Sequence, residues 1–300
     1  MSEYSDRVRV EFACGDKERD KGLETPKDIV RFDNISYGTD EKFNLLDVYK
    51  PVKTSVKLLP VIVIIHGGAW VYGDKEVYQF YGMSLAERGF AVVNPSYRLA
   101  PENRFPAQIE DICSVFDWIA ENADKYCLDI TNIFAVGDSA GGHLLSLYTS
   151  FITNDKYAAE LKRAYPAAEL SCSGLKLKAI ALNCGKYDME RFSELDPNTP
   201  IILMDFLNDG GSRDELKLVN ATALITGDYP PVFLMTCAGD FLKCQATLMV
   251  EALMDASVPF VYRFYGTDKD PLGHVFHCNM RLKEGIKCND DECEYFKEFI

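Results

Sequence analysis

One feature constrains this chain more than any other. From residue 32 onward, short β-branched runs take turns with longer stretches of helical periodicity. The runs fall at residues 61–65, 90–93, 133–136, 177–182, 232–235 and 260–264. Near-continuous apolar runs of this length suit strands buried on both faces. Between them, residues 77–88, 107–122, 141–153, 243–256 and 280–300 carry helical patterns. The spacing of Ile109, Ile112, Phe116 and Ile119 is a clear amphipathic stripe. Strand–helix alternation predicts an α/β fold, a mostly parallel central sheet flanked by helices. In such sheets ligands gather at the carboxyl ends of the strands, so the residues after each strand are the ones to read for function.

The chain has 300 residues with no fixed-period repeat and no low-complexity linker, which predicts a single domain over 1–300. Residues 1–28 are polar and charged and read as an N-terminal arm or partial cover. Residues 191–226 break the rhythm and read as a small helical cap insertion over the carboxyl edge of the sheet. With 32 basic and 46 acidic side chains the net charge is −14. That charge repels phosphate backbones and anionic lipid surfaces, so no nucleic-acid or membrane partner is expected. The 10 cysteines include no C-x-x-C pair, and no His/Cys set has zinc-site spacing, so no metal is expected. Free thiols, an N-terminus without an apolar core and no apolar stretch near ~18 residues point to a cytoplasmic location. A homodimer through the last helix or an edge strand is possible in principle, and nothing in the pattern decides it.

After the run at 133–136 comes Gly137-Asp138-Ser139-Ala140-Gly141-Gly142 and then a helical pattern. This is G-x-S-x-G between a strand and a helix. A bare match also fits an ordinary glycine-rich turn; the flanking elements favour a strained turn that projects the Ser139 hydroxyl, with glycines where side chains would crowd it. The Ala140 amide, opening the helix, can donate to an oxyanion. After 61–65 comes His66-Gly67-Gly68-Ala69-Trp70. The Gly67 and Gly68 amides, with that of Ala140, are expected to form a three-donor oxyanion hole. His66 reads as structural. Trp70 reads equally as a pocket wall or as core, and Asp138 is expected beside the substrate.

A serine hydroxyl needs a base and an orienting acid. His143, four positions after Ser139, reads as packing or capping. His274 follows the last strand in a loop and is favoured as the base over His277, one turn further on. Asp240 follows the penultimate strand and is favoured as the acid over Asp228, Asp268 and Asp270. Its alternative is a cap for the helix at 243–256. The order Ser139…Asp240…His274 is that of α/β-hydrolases.

Together these pieces resemble the α/β-hydrolase superfamily, and within it the hormone-sensitive-lipase-like esterases. The resemblance also takes in Tyr97-Arg98-Leu99-Ala100-Pro101-Glu102, Phe105-Pro106 and Leu46–Pro51, and spans about residues 35–300. It implies a serine carboxylic-ester hydrolase without a cofactor. In that reading Ser139 is the nucleophile, His274 the base, Asp240 its orienter, and Gly67, Gly68 and Ala140 the oxyanion donors. It also makes Tyr97–Glu102 a structural loop, with Arg98 paired to Glu102 or Asp111. The family commonly has Asp-Pro-Leu at the acid, where this chain has Asp240-Phe241-Leu242. A short arm and no arguable long acyl channel point to short acyl esters, acetyl among them, with the 191–226 segment as cover. The alternatives are an arylformamidase-like amide hydrolase and a small-molecule receptor on the same scaffold.

Overall fold

The computed structural model describes residues 2–191 and 199–300. Its centre is an eight-stranded sheet in the order β1-β2-β4-β3-β5-β6-β7-β8. The strands are β1 (Ile29–Ser36), β2 (Leu45–Pro51), β3 (Leu59–Ile65), β4 (Ala91–Pro95), β5 (Leu128–Asp138), β6 (Leu177–Asn183), β7 (Val232–Cys237) and β8 (Phe260–Tyr265). From β4 to β8 every pairing is parallel; β1 with β2 and β2 with β4 are antiparallel. The strands expected at 61–65 and 133–136 are the middles of β3 and β5, which pair with each other at the centre of the sheet.

Helices α2 (Gln79–Glu87), α3 (Ala107–Tyr126), α4 (Ala140–Thr153), α5 (Asp155–Ala164), α8 (Lys243–Asp255) and α9 (Lys283–Lys297) cover the two faces. The period of two along β3 divides the core between them. Val61, Val63 and Ile65 pack with Ile109, Ile112 and Phe116 of α3 and Leu144 of α4. Ile62 and Ile64 pack on the other face with Met83 of α2 and Phe296 of α9. The α3 stripe read from sequence is therefore the face that meets the sheet.

One expectation needs correction, one open choice is settled, and two elements went unread. Residues 3–20, read within a polar arm, form an 18-residue helix, α1 (Glu3–Asp20). Ser2 caps it, its hydroxyl accepting from the Ser5 amide, and Glu3 and Asp6 sit favourably at its positive end. Sequence missed it because few of its side chains are apolar and only Ser5 and Val8 are buried. What holds it is tertiary: Arg9 reaches the carbonyls of Val71 (2.7 Å) and Ala100 (2.8 Å) and pairs with Glu102 (2.7 Å). Arg281 bonds the carbonyls of Arg19 and Lys21 at its far end. Second, that use of Glu102 leaves Arg98 to Asp111 (2.8 Å) and Glu110 (2.9 Å), so of the two partners expected for Arg98 it takes Asp111. Third, β1 and α5 went unread, because neither carries a long apolar run.

Within the expected insertion, residues 192–198 lie outside the described residues. The described part holds α6 (Thr199–Phe206) and α7 (Arg213–Val219). Asp205 of α6 receives the Ser2 amide and hydroxyl, each at 2.8 Å, so this segment buttresses the start of α1.

Candidate active site

Ser139 sits between β5 and α4 at φ 51°, ψ −119°, a region side chains other than glycine rarely adopt. The glycines around it answer to the crowding expected from the motif. A Cβ on Gly141 would stand 2.0 Å from the Ile65 carbonyl oxygen, and one on Gly137 would stand 2.6 Å from that of Gly141. The Ser139 backbone is held from outside: its amide donates to Asn183 O (3.0 Å) and its carbonyl accepts from Lys186 N (3.2 Å).

The structure brings Ser139, His274 and Asp240 together. The Ser139 hydroxyl donates to His274 Nε2 at 2.9 Å, and His274 Nδ1–H donates to Asp240 Oδ1 at 2.7 Å. Asp240 follows β7 and is 2 % exposed. Burial works against its ionisation, but hydrogen bonds from His274, the Thr236 hydroxyl (2.7 Å) and the Leu242 amide (2.9 Å) outweigh it and hold the carboxyl below the usual range. The loop that carries His274 is tied back to β7. The Gly239 amide and the Cys237 thiol both donate to Leu272 O, at 3.0 and 3.1 Å. The chain thus fixes the imidazole through backbone on one side and a carboxylate on the other.

The other three histidines are buried and neutral. Burial pulls His143 down to about 4; its Nδ1 accepts from Trp70 Nε1 (3.1 Å) and its Nε2 donates to Val219 O (2.7 Å). Burial likewise pulls His66 down to about 4; its ring stacks 3.9 Å from Tyr97. His277, also buried and pulled down to about 3, lies against Tyr81 with ring centroids 5.0 Å apart.

The oxyanion donors need one correction. The Gly67 amide is not free: it donates to the Tyr78 hydroxyl (2.8 Å) and to Asp138 Oδ1 (3.2 Å). Tyr78 in turn donates to Asp138 Oδ2 at 2.7 Å. A Cβ on Gly67 would stand 2.7 Å from that carboxylate, so the residue is glycine to let this bridge close. Gly67 therefore latches the loop after β3 to the elbow after β5. The Gly68 and Ala140 amides, and that of Ala69, have no such partner among the described residues. Asp138 is 2 % exposed, and burial pushes its carboxyl up to about 6. Sequence assigned Tyr78 no site role: it falls in the stretch 77–88 read as helical, whereas α2 begins at Gln79 and Tyr78 is its N-cap, facing Gly67.

A cavity of about 300 Å³ opens at Ser139 and His274. Gly67, Gly68, Asp138, Val77, Tyr78, Phe241 and Val275 line it, together with Phe12, Asp16 and Arg19 from α1. One open reading is settled here, and one expectation is not met among the described residues. Trp70 is core: it is 3 % exposed, stacks 4.7 Å from Phe206 and does not line the cavity. Two consecutive positive φ angles, at Ala69 and Trp70, turn the indole away. And α1, rather than the described residues of the 191–226 segment, walls the cavity. Two groups among the described residues, one of them buried throughout, could present metal-ligating atoms within 4.8 Å of one another: Asp138 with His277 and Cys278, and Cys184 with Asp240 and His274. The Asp138 and Asp240 carboxylates in them already accept the hydrogen bonds described above.

Comparison with known proteins follows the same lines. The BD-FAE family model matches residues 46–253. The esterase LipC of Mycobacterium tuberculosis is 33% identical over 167 residues, 55% of this chain and 38% of that protein. An arylesterase of Saccharolobus solfataricus is 29% identical over 239 residues, 76% of this chain and 74% of its own. Esterase B of Lactobacillus rhamnosis, solved with an inhibitor described as C6-C4 SN3, superposes with a TM-score of 0.89 at 25% identity, covering 99% of this chain and 95% of that one. The chain spans 38%, 57% and 64% of the lengths of three curated relatives it matches.

Proposed function

Since this chain belongs to the BD-FAE family and has the α/β-hydrolase fold, we propose that it is a serine carboxylic-ester hydrolase acting on short-chain acyl esters, acetyl esters among them. The single observation that carries the reading is the continuous hydrogen-bond line from Ser139 Oγ through His274 to Asp240, at 2.9 and 2.7 Å. The esterase names among its relatives support the same chemistry.

In this mechanism His274 Nε2 takes the Ser139 proton as the oxygen attacks the ester carbonyl. The oxyanion is received by the amides of Gly68 and Ala140, with Ala69 next in line; each such donor is worth roughly 3–4 kcal/mol in related chemistry. The imidazolium then gives its proton to the departing alcohol. In the second half His274 activates water against the acyl-enzyme. Asp240, ionised and hydrogen-bonded to Nδ1, keeps the proton-accepting nitrogen aimed at Ser139 and stabilises the imidazolium. The cavity of about 300 Å³ supports small substrates. Ten free cysteines support the proposal of a reducing, cytoplasmic setting.

The test is a panel of p-nitrophenyl esters from acetate to palmitate, with acetylated sugars and N-formyl aromatic amides beside it, on wild type and Ser139→Ala. A rate maximum at acetate to butyrate that vanishes in Ser139→Ala is expected. A maximum at long chains, or turnover that survives the substitution, refutes the reading.

A further inference from the structure

Isolated apolar side chains on a protein surface need no explanation. Two of them exposed inside one cavity do. Among the large hydrophobic residues exposed in the described chain, Phe12 (39 %) and Phe241 (57 %) are the ones that line the cavity holding Ser139. They come from elements far apart in sequence, α1 and the loop after β7. Phe241 also stands where the esterases this chain resembles commonly have proline, so it is a feature of this chain rather than of the motif.

Its position bears on one half of the substrate. The Phe241 ring lies 4.5 Å from the His274 ring, centroid to centroid. His274 Nε2 delivers the proton to the leaving oxygen, so whatever is attached to that oxygen emerges beside the imidazole and against Phe241. Phe12 stands edge-on to Tyr72 at 5.9 Å, which fixes its ring, and the part left exposed belongs to the cavity. Rings pair favourably at centroid separations of about 4.5–7 Å. The charged side chains on the same wall are Glu11, Asp16 and Arg19. Arg19 is spent on Asp16 (2.7 Å), Asp20 and the Val77 carbonyl (2.7 Å), and among the described residues no other lysine or arginine lines the cavity. A carboxylate on the substrate would meet like charge there without a partner.

We infer that Phe241 and Phe12 form an aromatic subsite for the alcohol half of the ester, selecting uncharged aromatic alcohols as leaving groups. This rests on the esterase reading above. At about 300 Å³ the cavity has room for an aromatic ring beside a short acyl group.

The test compares benzyl acetate with cyclohexylmethyl acetate. The two share an acyl group and nearly share a size and differ in the aromaticity of the ring. Acetate release gives kcat/KM for wild type, Phe241→Leu and Phe12→Leu, and a fluorophosphonate with mass spectrometry reports covalent modification at Ser139. Both phenylalanines are partly exposed, so leucine keeps the fold, and a melting curve checks it. Wild type is expected to favour the benzyl ester about tenfold. Phe241→Leu should cut the preference to roughly threefold or less, chiefly through KM, with Phe12→Leu acting in the same direction. Equal rates on the two esters in wild type, or a preference untouched in both variants, overturn the subsite while a labelled Ser139 leaves the esterase reading standing. No labelling and no acetate release from either ester overturn both.

Discussion

Ser139 holds a backbone conformation that costs about 1–3 kcal/mol, and it persists because its neighbours leave it no alternative. The Ile65 carbonyl fills the space beside Gly141, so Gly141→Ala should destabilise the fold by more than about 4 kcal/mol, read by urea unfolding. A midpoint close to wild type would mean the elbow has slack. Asp240→Asn keeps the shape of the side chain but can leave His274 in the wrong tautomer; turnover should fall about 10⁴-fold while the melting temperature moves little. Tyr78 acts one step back. Its hydroxyl accepts from Gly67 and donates to Asp138, so Tyr78→Phe unlatches the loop that carries the Gly68 amide. A loss of about tenfold in kcat with little change in KM is expected; a change confined to KM would argue that the latch does not position the anion site.

At the scale of elements, α1 decides how enclosed the site is. Its sequence is charged and its own burial is slight, so its helicity depends on anchors at Arg9, Ser2 and Arg281. Arg9→Ala removes two carbonyl contacts and the Glu102 ion pair at once. Amide hydrogen exchange across residues 3–20 should then quicken by about tenfold or more while the β3–β5 core is unaffected. Unchanged exchange in α1 would show that the buried Val8 and Ser5 suffice to hold it.

The whole molecule carries a pH signature from its buried titratable groups. Glu292 of α9 is fully buried, accepting from Tyr81 (2.8 Å) and Asn183 (2.7 Å), and burial pushes its carboxyl from 4.5 up to about 7. A carboxyl raised on folding contributes fully below its ordinary value and loses that contribution as pH climbs through about 7, here on the order of 3 kcal/mol. Buried His66, His143 and His277 work the opposite way. They are pulled below 6.5, so their contribution is complete above that value and fades as pH falls towards 3–4. Glu292→Gln should therefore gain in melting temperature relative to wild type between pH 5 and pH 8. A constant offset across that range would show that Glu292 does not titrate in the window.

The sequence by itself determined the layered sheet, the two sharp turns and the residues that follow them. Those features depend on short-range rules: β-branched runs, a 3.6-residue stripe, and glycines where a Cβ has no room. Ser139, Asp240 and His274 were legible because Ser139 stands directly after a strand and Asp240 and His274 stand in the loops that follow β7 and β8, and strand ends in a parallel sheet converge. Tertiary structure alone decided the rest, because it turns on partners distant in the chain. It spent the Gly67 amide on Tyr78 and Asp138, chose core over pocket wall for Trp70 and Asp111 over Glu102 for Arg98, and made a wall out of a charged N-terminal stretch. No local pattern reports where an amide or a guanidinium finds its acceptor. That is settled when the sheet brings residues 9, 71 and 102, or 67, 78 and 138, to the same place.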